Sequence, residues 1–208
     1  MSGIISDNQG RSSGLVKAAA AAGGAWTLIK TLTSDGSDAN LSFVNGTSSV
    51  VLDATYSTYC FIWTNIHPET DDAIFKFNGS IDSGSNYNVT KTTSLLRHYY
   101  SESGAGGVVN VDTAQSISSG TGDASLATYH DNDNDSCCGG WMYLYNPAST
   151  TFIKQFRSNA VHVQNSAYLY NMMCAGYFNT TSAINAITFK FSTDEIQAGK
   201  ISLYGIST

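Results

Sequence analysis

From Trp26 onward no apolar run in this chain goes far before a turn cuts it. SDGSD, VNGTS, FNGS, DSGSN and SGAGG recur between short stretches rich in aromatic and β-branched residues. An amphipathic helix needs apolar positions sustained at three- and four-residue spacing over ten residues or more. No segment of useful length offers that without Gly, Asn or β-branched interruptions. What fits between the turns is strands: WTLIKTL (26–32), LSFV (41–44), YCFIWTN (59–65), AIFKFNG (73–79), WMYLYNP (141–147), TFIKQF (151–156), NAITFKF (185–191) and KISLYGI (200–206). YCFIWTN is almost continuously apolar, as a strand covered on both faces requires. Many short strands with frequent turns predict an all-β domain, a jelly-roll-like β-sandwich.

Residues 1–25 have a different character. They hold no aromatic residue, and Arg11 and Lys17 precede the alanine-rich Ala18–Ala25. KAAAAA suffices for about one helical turn, which is marginal alone in water. The segment reads either as a disordered leader or as an extended N-terminal arm that orders against a neighbouring subunit. In the second case Ile4, Ile5, Leu15 and Val16 are its apolar anchors, with Arg11 and Lys17 supplying charge. The expected organisation is an assembly arm over 1–25 and a sandwich over 26–208.

Charged residues are 12% of the 208, so Ser, Thr, Asn and Gly must keep the surface wet. The formal net charge of −6 argues against nucleic acid and anionic membranes as partners. No apolar run is long enough to span a bilayer as a helix. MSGIISDNQGRSSG has no apolar core of a signal peptide, so synthesis and folding are expected in a reducing cytoplasm.

Candidate chemistry is sparse. In DNDNDSCCGG (131–140) Asp131, Asp133 and Asp135 match the first three ligand positions of a calcium loop. Ser136 stands where that loop needs Gly, and Met142 where it needs a bidentate Glu. The stretch therefore reads as a solvated connection feeding a strand, with a looser calcium loop on the three aspartates as the alternative. Cys60, Cys137, Cys138 and Cys174 lack metal spacing, and the aspartates beside Cys137 and Cys138 disfavour a reactive thiolate. Cys60 and Cys174 are expected to be ordinary buried thiols. His67, His98, His130 and His162 are isolated in sequence and form no H-x-H or H-E-x-x-H pattern, so no metal site is expected from them, the alternative being one assembled from distant histidines. NIHPETDD around His67 reads as a turn.

The acids that a glycosidase would pair (Glu69, Asp71, Asp72, Glu102, Asp194 and Glu195) all sit in turn-like contexts. With no nucleophile elbow and no phosphate-cradling loop, the chain is expected to be neither an enzyme nor a cofactor carrier. Trp26, Trp63, Trp141, Tyr99, Tyr100, Tyr143 and Tyr145 could stack on sugars, although in alternating strands most such residues belong to a core.

YNPASTTFIKQF (145–156), AGYFNTTSAINAITFKFSTDEIQAGKISLYGI (175–206) and NIHPETDDAIFKF (65–77) resemble small virion proteins of marine tailed bacteriophages. SGLVKAAAAAGG (13–24) shares the likeness. The resemblance implies a β-sandwich structural protein of the particle, made in the host cytoplasm and carried in the virion. With the distinct arm, it leads to the expectation of a capsid decoration (cement) protein. Such a protein would be a homo-oligomer, a trimer, that stabilises the head shell through contacts with the major capsid protein or other virion proteins. The alternative is a tail or fibre component whose loops bind host surface glycan.

Overall fold

The computed structural model describes residues 25–207, and every regular element among them is a strand. The assembly arm, with Ile4, Ile5, Arg11, Leu15, Val16 and Lys17, lies outside the described residues, as does all of the 1–25 segment except Ala25. The twelve strands are β1 (Trp26–Thr33), β2 (Leu41–Val44), β3 (Thr58–Pro68), β4 (Ala73–Ser80), β5 (Lys91–Ser101), β6 (Gly107–Val111), β7 (Ala124–His130), β8 (Cys138–Tyr145), β9 (Lys154–Gln164), β10 (Tyr168–Phe178), β11 (Ala186–Phe191) and β12 (Ile196–Ile206).

All strand pairs are antiparallel, and they fall into two runs. Eight strands follow the order β1-β12-β3-β8-β9-β10-β5-β6, and four follow β7-β4-β11-β2. A single pairing, His130 with Gln164, joins β7 to β9 and so links the two runs. Period-two alternation then sends one face of each run inward. β9 shows it plainly, with Lys154, Phe156, Ser158, Ala160 and His162 buried in turn.

The inward faces meet in an aromatic core. Phe61 of β3 packs on Phe189 of β11 with ring centroids 5.2 Å apart. Trp63 meets Phe75 of β4 edge-on at 5.6 Å, and Phe77 meets Phe156 of β9 at 5.0 Å. Each pair crosses between the runs, which makes the fold a β-sandwich. Edge-to-face contact sets the positive ring edge against the negative face, so these pairs add specificity to the hydrophobic gain.

β3 is covered on both sides only in part: on its outer face Ile62 is half-buried and Thr64 exposed, which corrects the continuous two-sided burial its composition predicts. Tyr59, Phe61 and Trp63 point into the core, while Cys60 on the opposite face is also fully buried. Its neighbours there in register are Tyr204 and Tyr143. Two further sequence expectations change: the strand read over 151–156 begins only at Lys154, and His67 and Pro68 belong to β3, whose following turn begins only at Glu69. A bulge explains the extension. Asn65 takes a left-handed φ of 54° opposite Gly199 at φ 111°, and the β3–β12 register slips on both sides of Ala198. A Cβ on Gly199 would lie 2.5 Å from the Asn65 carbonyl oxygen, so this crossing demands glycine.

Candidate functional site

The loop between β7 and β8 is DNDNDSC, residues 131–137, and local bonds give it its shape. Asp131 Oδ1 accepts from the Asp133 amide at 3.1 Å. The Ser136 amide donates to the Asp133 carbonyl at 2.8 Å. Asn132 Nδ2 ties the loop to the Glu69 carbonyl at 3.0 Å. These are the side-chain-to-backbone turns that Asp and Asn favour. Asp131, Asp133 and Asp135 line one side of a cleft of about 280 Å³, with Glu102 on the rim. The three aspartates singled out by spacing thus do share a surface, an acidic one.

Beneath this loop lies a constellation that spacing did not suggest. Cys138 opens β8 and stands directly opposite His162 on β9. His130 closes β7 opposite Gln164, two residues further along β9 and on the same face. Three neighbouring strands thereby bring His130, Cys138 and His162 together. One ligand atom from each lies within 4.8 Å of the others, and no other His, Cys, Asp or Glu group among the described residues converges in this way. All three side chains are buried, with at most 2% exposure. The two imidazoles stack at 4.2 Å between centroids.

The polar bookkeeping of this cluster is incomplete. His162 Nε2 lies 2.8 Å from the Thr128 carbonyl. A carbonyl can only accept, so Nε2 carries the proton and Nδ1 carries the lone pair. That Nδ1 has no hydrogen-bond partner, nor does His130 Nε2, nor does the indole Nε1 of Trp63. These are three of the five buried polar side-chain atoms left unpaired among the described residues. The Trp63 indole N–H is nonetheless turned toward the Cys138 sulfur, short of good hydrogen-bond geometry, and favours its thiolate. His67 stands close by, its Nδ1 donating to the Ser136 carbonyl at 2.7 Å.

Burial sets the protonation states. It pushes the Cys138 thiol up to about 12 and the His162 imidazole down to about 4. Burial, followed by the fields of His162 and His67, holds His130 well below the usual histidine range. Both imidazoles are neutral at pH 7.

The remaining sequence candidates are dispersed. Glu69, Asp71, Asp72 and Asp194 are exposed, with Glu195 half-buried, at two turns joined by a bond from the Glu69 amide to the Glu195 carbonyl. His98 is exposed on β5, and Cys137 is the one exposed thiol. Cys60 and Cys174 are buried. Of the aromatic residues, Trp63 is core, whereas Trp26 and Tyr100 are exposed. Trp141, Tyr143 and Tyr145 are half-buried on the outer face of the larger sheet.

That outer face is patterned. Adjacent strands place Ile62, Trp141, Asn159, Met173, Leu96 and Val111 in one row from β3 to β6. Val161, Asn171, His98 and Val109 form the next row, and Val163, Leu169 and Tyr100 the one after. Met173, Leu169 and Val109 are 42%, 45% and 64% exposed. The histidine–cysteine trio was illegible in sequence because its members are 8 and 24 residues apart and only strand register unites them. Compared with known protein families, curated proteins and solved structures, the chain finds no match.

Proposed function

We propose that this protein is a structural component of a tailed-bacteriophage particle, a capsid decoration (cement) protein that acts by contact and not by chemistry. The observation that carries this reading is the outer face of the eight-stranded run. Met173, Val161, Leu169, Tyr100, Val109 and Val111 give it an apolar surface, with Asn159, Asn171 and His98 set among them, that reaches the edge strand β6, whose five residues are all exposed. Apolar patches of this kind mark interaction surfaces, and many copies on a shell multiply weak contacts into firm attachment. The likeness of 65–77, 145–156 and 175–206 to virion proteins supports the same conclusion. Self-association, as a trimer, and docking on the major capsid protein are the contacts proposed for this face, with residues 1–25 as the anchoring arm. Immunogold labelling of intact virions tests the reading. Gold over the head is expected, and gold confined to the tail would sink it.

A specific observation favours a second reading, a tail or fibre component that binds host glycan. Trp26 packs edge-on against Tyr204 at 5.8 Å and Tyr143 at 6.0 Å. Trp141 meets Tyr143 at 4.9 Å, and the Arg157 guanidinium lies over Trp141 at 5.4 Å. Partly exposed rings beside a cation can stack on sugar faces. Glycan-array binding that is lost in Trp141→Ala would move the assignment to the tail.

A further inference from the structure

We propose that His130, Cys138 and His162 form a buried structural site for a soft d10 metal ion, Cu+ or Zn2+, which clamps β7, β8 and β9 together where the two sheets join. This site is independent of where in a particle the protein sits.

Strand register, and not a flexible loop, sets the geometry. Cys138 and His162 face each other across β8 and β9, and His130 is fixed by the only pairing between β7 and β9. The three ligand atoms lie within 4.8 Å of one another. Metal bonds of about 2.0 Å to nitrogen and 2.3 Å to sulfur need a further contraction, and the two rings, stacked with their planes 21° apart, must turn so that both lone pairs point at one ion.

Two of the donors are left without partners. His162 gives its Nε2 proton to the Thr128 carbonyl and is left with a buried, unpartnered lone pair on Nδ1. Holding an imidazole by its far nitrogen on a backbone carbonyl is the usual support for a metal-binding histidine. His130 Nε2 is likewise buried and unpartnered. Interiors rarely leave such atoms unsatisfied, and one ion would satisfy both at once.

The donor set selects the ion. Two imidazole nitrogens and one sulfur, with no oxygen donor, exclude calcium and magnesium and suit Cu+ or Zn2+. Binding displaces one proton, from the Cys138 thiol to solvent, and forms the metal–sulfur bond; both imidazoles are already neutral. Cu+ with one thiolate is then uncharged and accepts three ligands. Zn2+ retains a net positive charge in a buried site and requires a fourth ligand such as water. Cu+ is therefore the better fit to these three side chains. The ligands at 130 and 138 bracket the acidic loop, so an ion here would also fix both its ends.

The test uses the full chain, purified under reductant and stripped by a chelator. It is then loaded separately with Zn2+ and with Cu+ buffered by a chromophoric competitor. One ion per chain retained after desalting, with a raised melting temperature, is expected. X-ray absorption of the loaded wild type should show one sulfur and two nitrogen neighbours. Cys138→Ser and His162→Gln should each lower retention at least tenfold, while Cys137→Ser retains the ion. Retention of Cu+ alone identifies the three-coordinate site, and retention of Zn2+ identifies a four-coordinate one. Failure to retain either ion, or a coordination shell without sulfur, would overturn the proposal even if the variants did not fold. So would undiminished binding in Cys138→Ser.

Discussion

Gly139 and Gly140 are adjacent in sequence yet answer to opposite constraints. A Cβ on Gly140 would sit 2.4 Å from the Asn159 carbonyl oxygen and 2.6 Å from the Trp63 ring, whereas one on Gly139 meets nothing within 4 Å. Gly140→Ala is therefore expected to cost about 1–3 kcal/mol by overpacking. Gly139→Ala should stay within about 0.5 kcal/mol of wild type; urea unfolding of the two variants measures the difference. Cys137 and Cys138 part in the same way, one exposed and one buried. With the other thiols, Cys60 and Cys174, also buried, a maleimide should label one thiol per native chain and four after denaturation. Mass spectrometry should place the native label on Cys137. Fast labelling of Cys138 in the native protein would contradict its burial.

Among the elements, β9 carries the most topology. It pairs along its length with β8 and β10, and its last residue touches β7, so it belongs to the larger sheet and anchors the smaller one. Its inner face is core, and its outer face belongs to the proposed contact surface. This separation lets stability and assembly be tested apart. Met173→Lys on β10 and Val109→Lys on β6 add charge to side chains that are already exposed. Monomer stability should shift by no more than about 0.5 kcal/mol. Self-association, followed by analytical ultracentrifugation, should weaken by roughly tenfold or more, because a desolvated charge opposes burial of that face. Unchanged association would remove the outer face from the proposed contact surface.

At the scale of the molecule, the buried ionisable groups give the fold a defined alkaline response. Lys91 is fully buried, with Nζ donating to the Gly122 carbonyl at 2.7 Å and lying 5.8 Å from the Phe178 ring centroid. Burial brings its pKa down to about 8 from 10.5. The folded state thus pays to keep this lysine charged, in full below pH 8 and not at all above 10.5, and its share of stability rises across that window. The thiols act in the opposite sense. Cys60 and Cys174, like Cys138, are pushed up from 9 to about 12 by burial. The unfolded chain ionises them first, so stability present below pH 9 is lost as pH rises towards 12. Each group has a limiting slope of about 1.4 kcal/mol per pH unit. Stability should therefore climb gently to a maximum near pH 8.5 and decline beyond it, where three thiols outweigh one lysine. Urea unfolding under reductant across pH 7–10.5 should show the maximum, and Cys60→Ala should make the decline shallower.

The sequence by itself determined that this chain builds a sandwich. Turn residues cap every apolar run before a helix can form, and the aromatic alternation from Trp26 to Ile206 supplies two faces to bury. It also marked the 131–137 loop, because composition reports local exposure. The extent of β3 was less legible: His67 and Pro68 join the strand only because Gly199 lets the chains cross closely at Asn65. Tertiary structure alone decided which surfaces and side chains meet. The outer apolar surface depends on the order of strands across the sheet, which no single segment encodes. The trio of His130, Cys138 and His162 depends on the register of β8 on β9 and on one pairing with β7. Register is a long-range property, and a slip of one residue would turn those side chains to the opposite face.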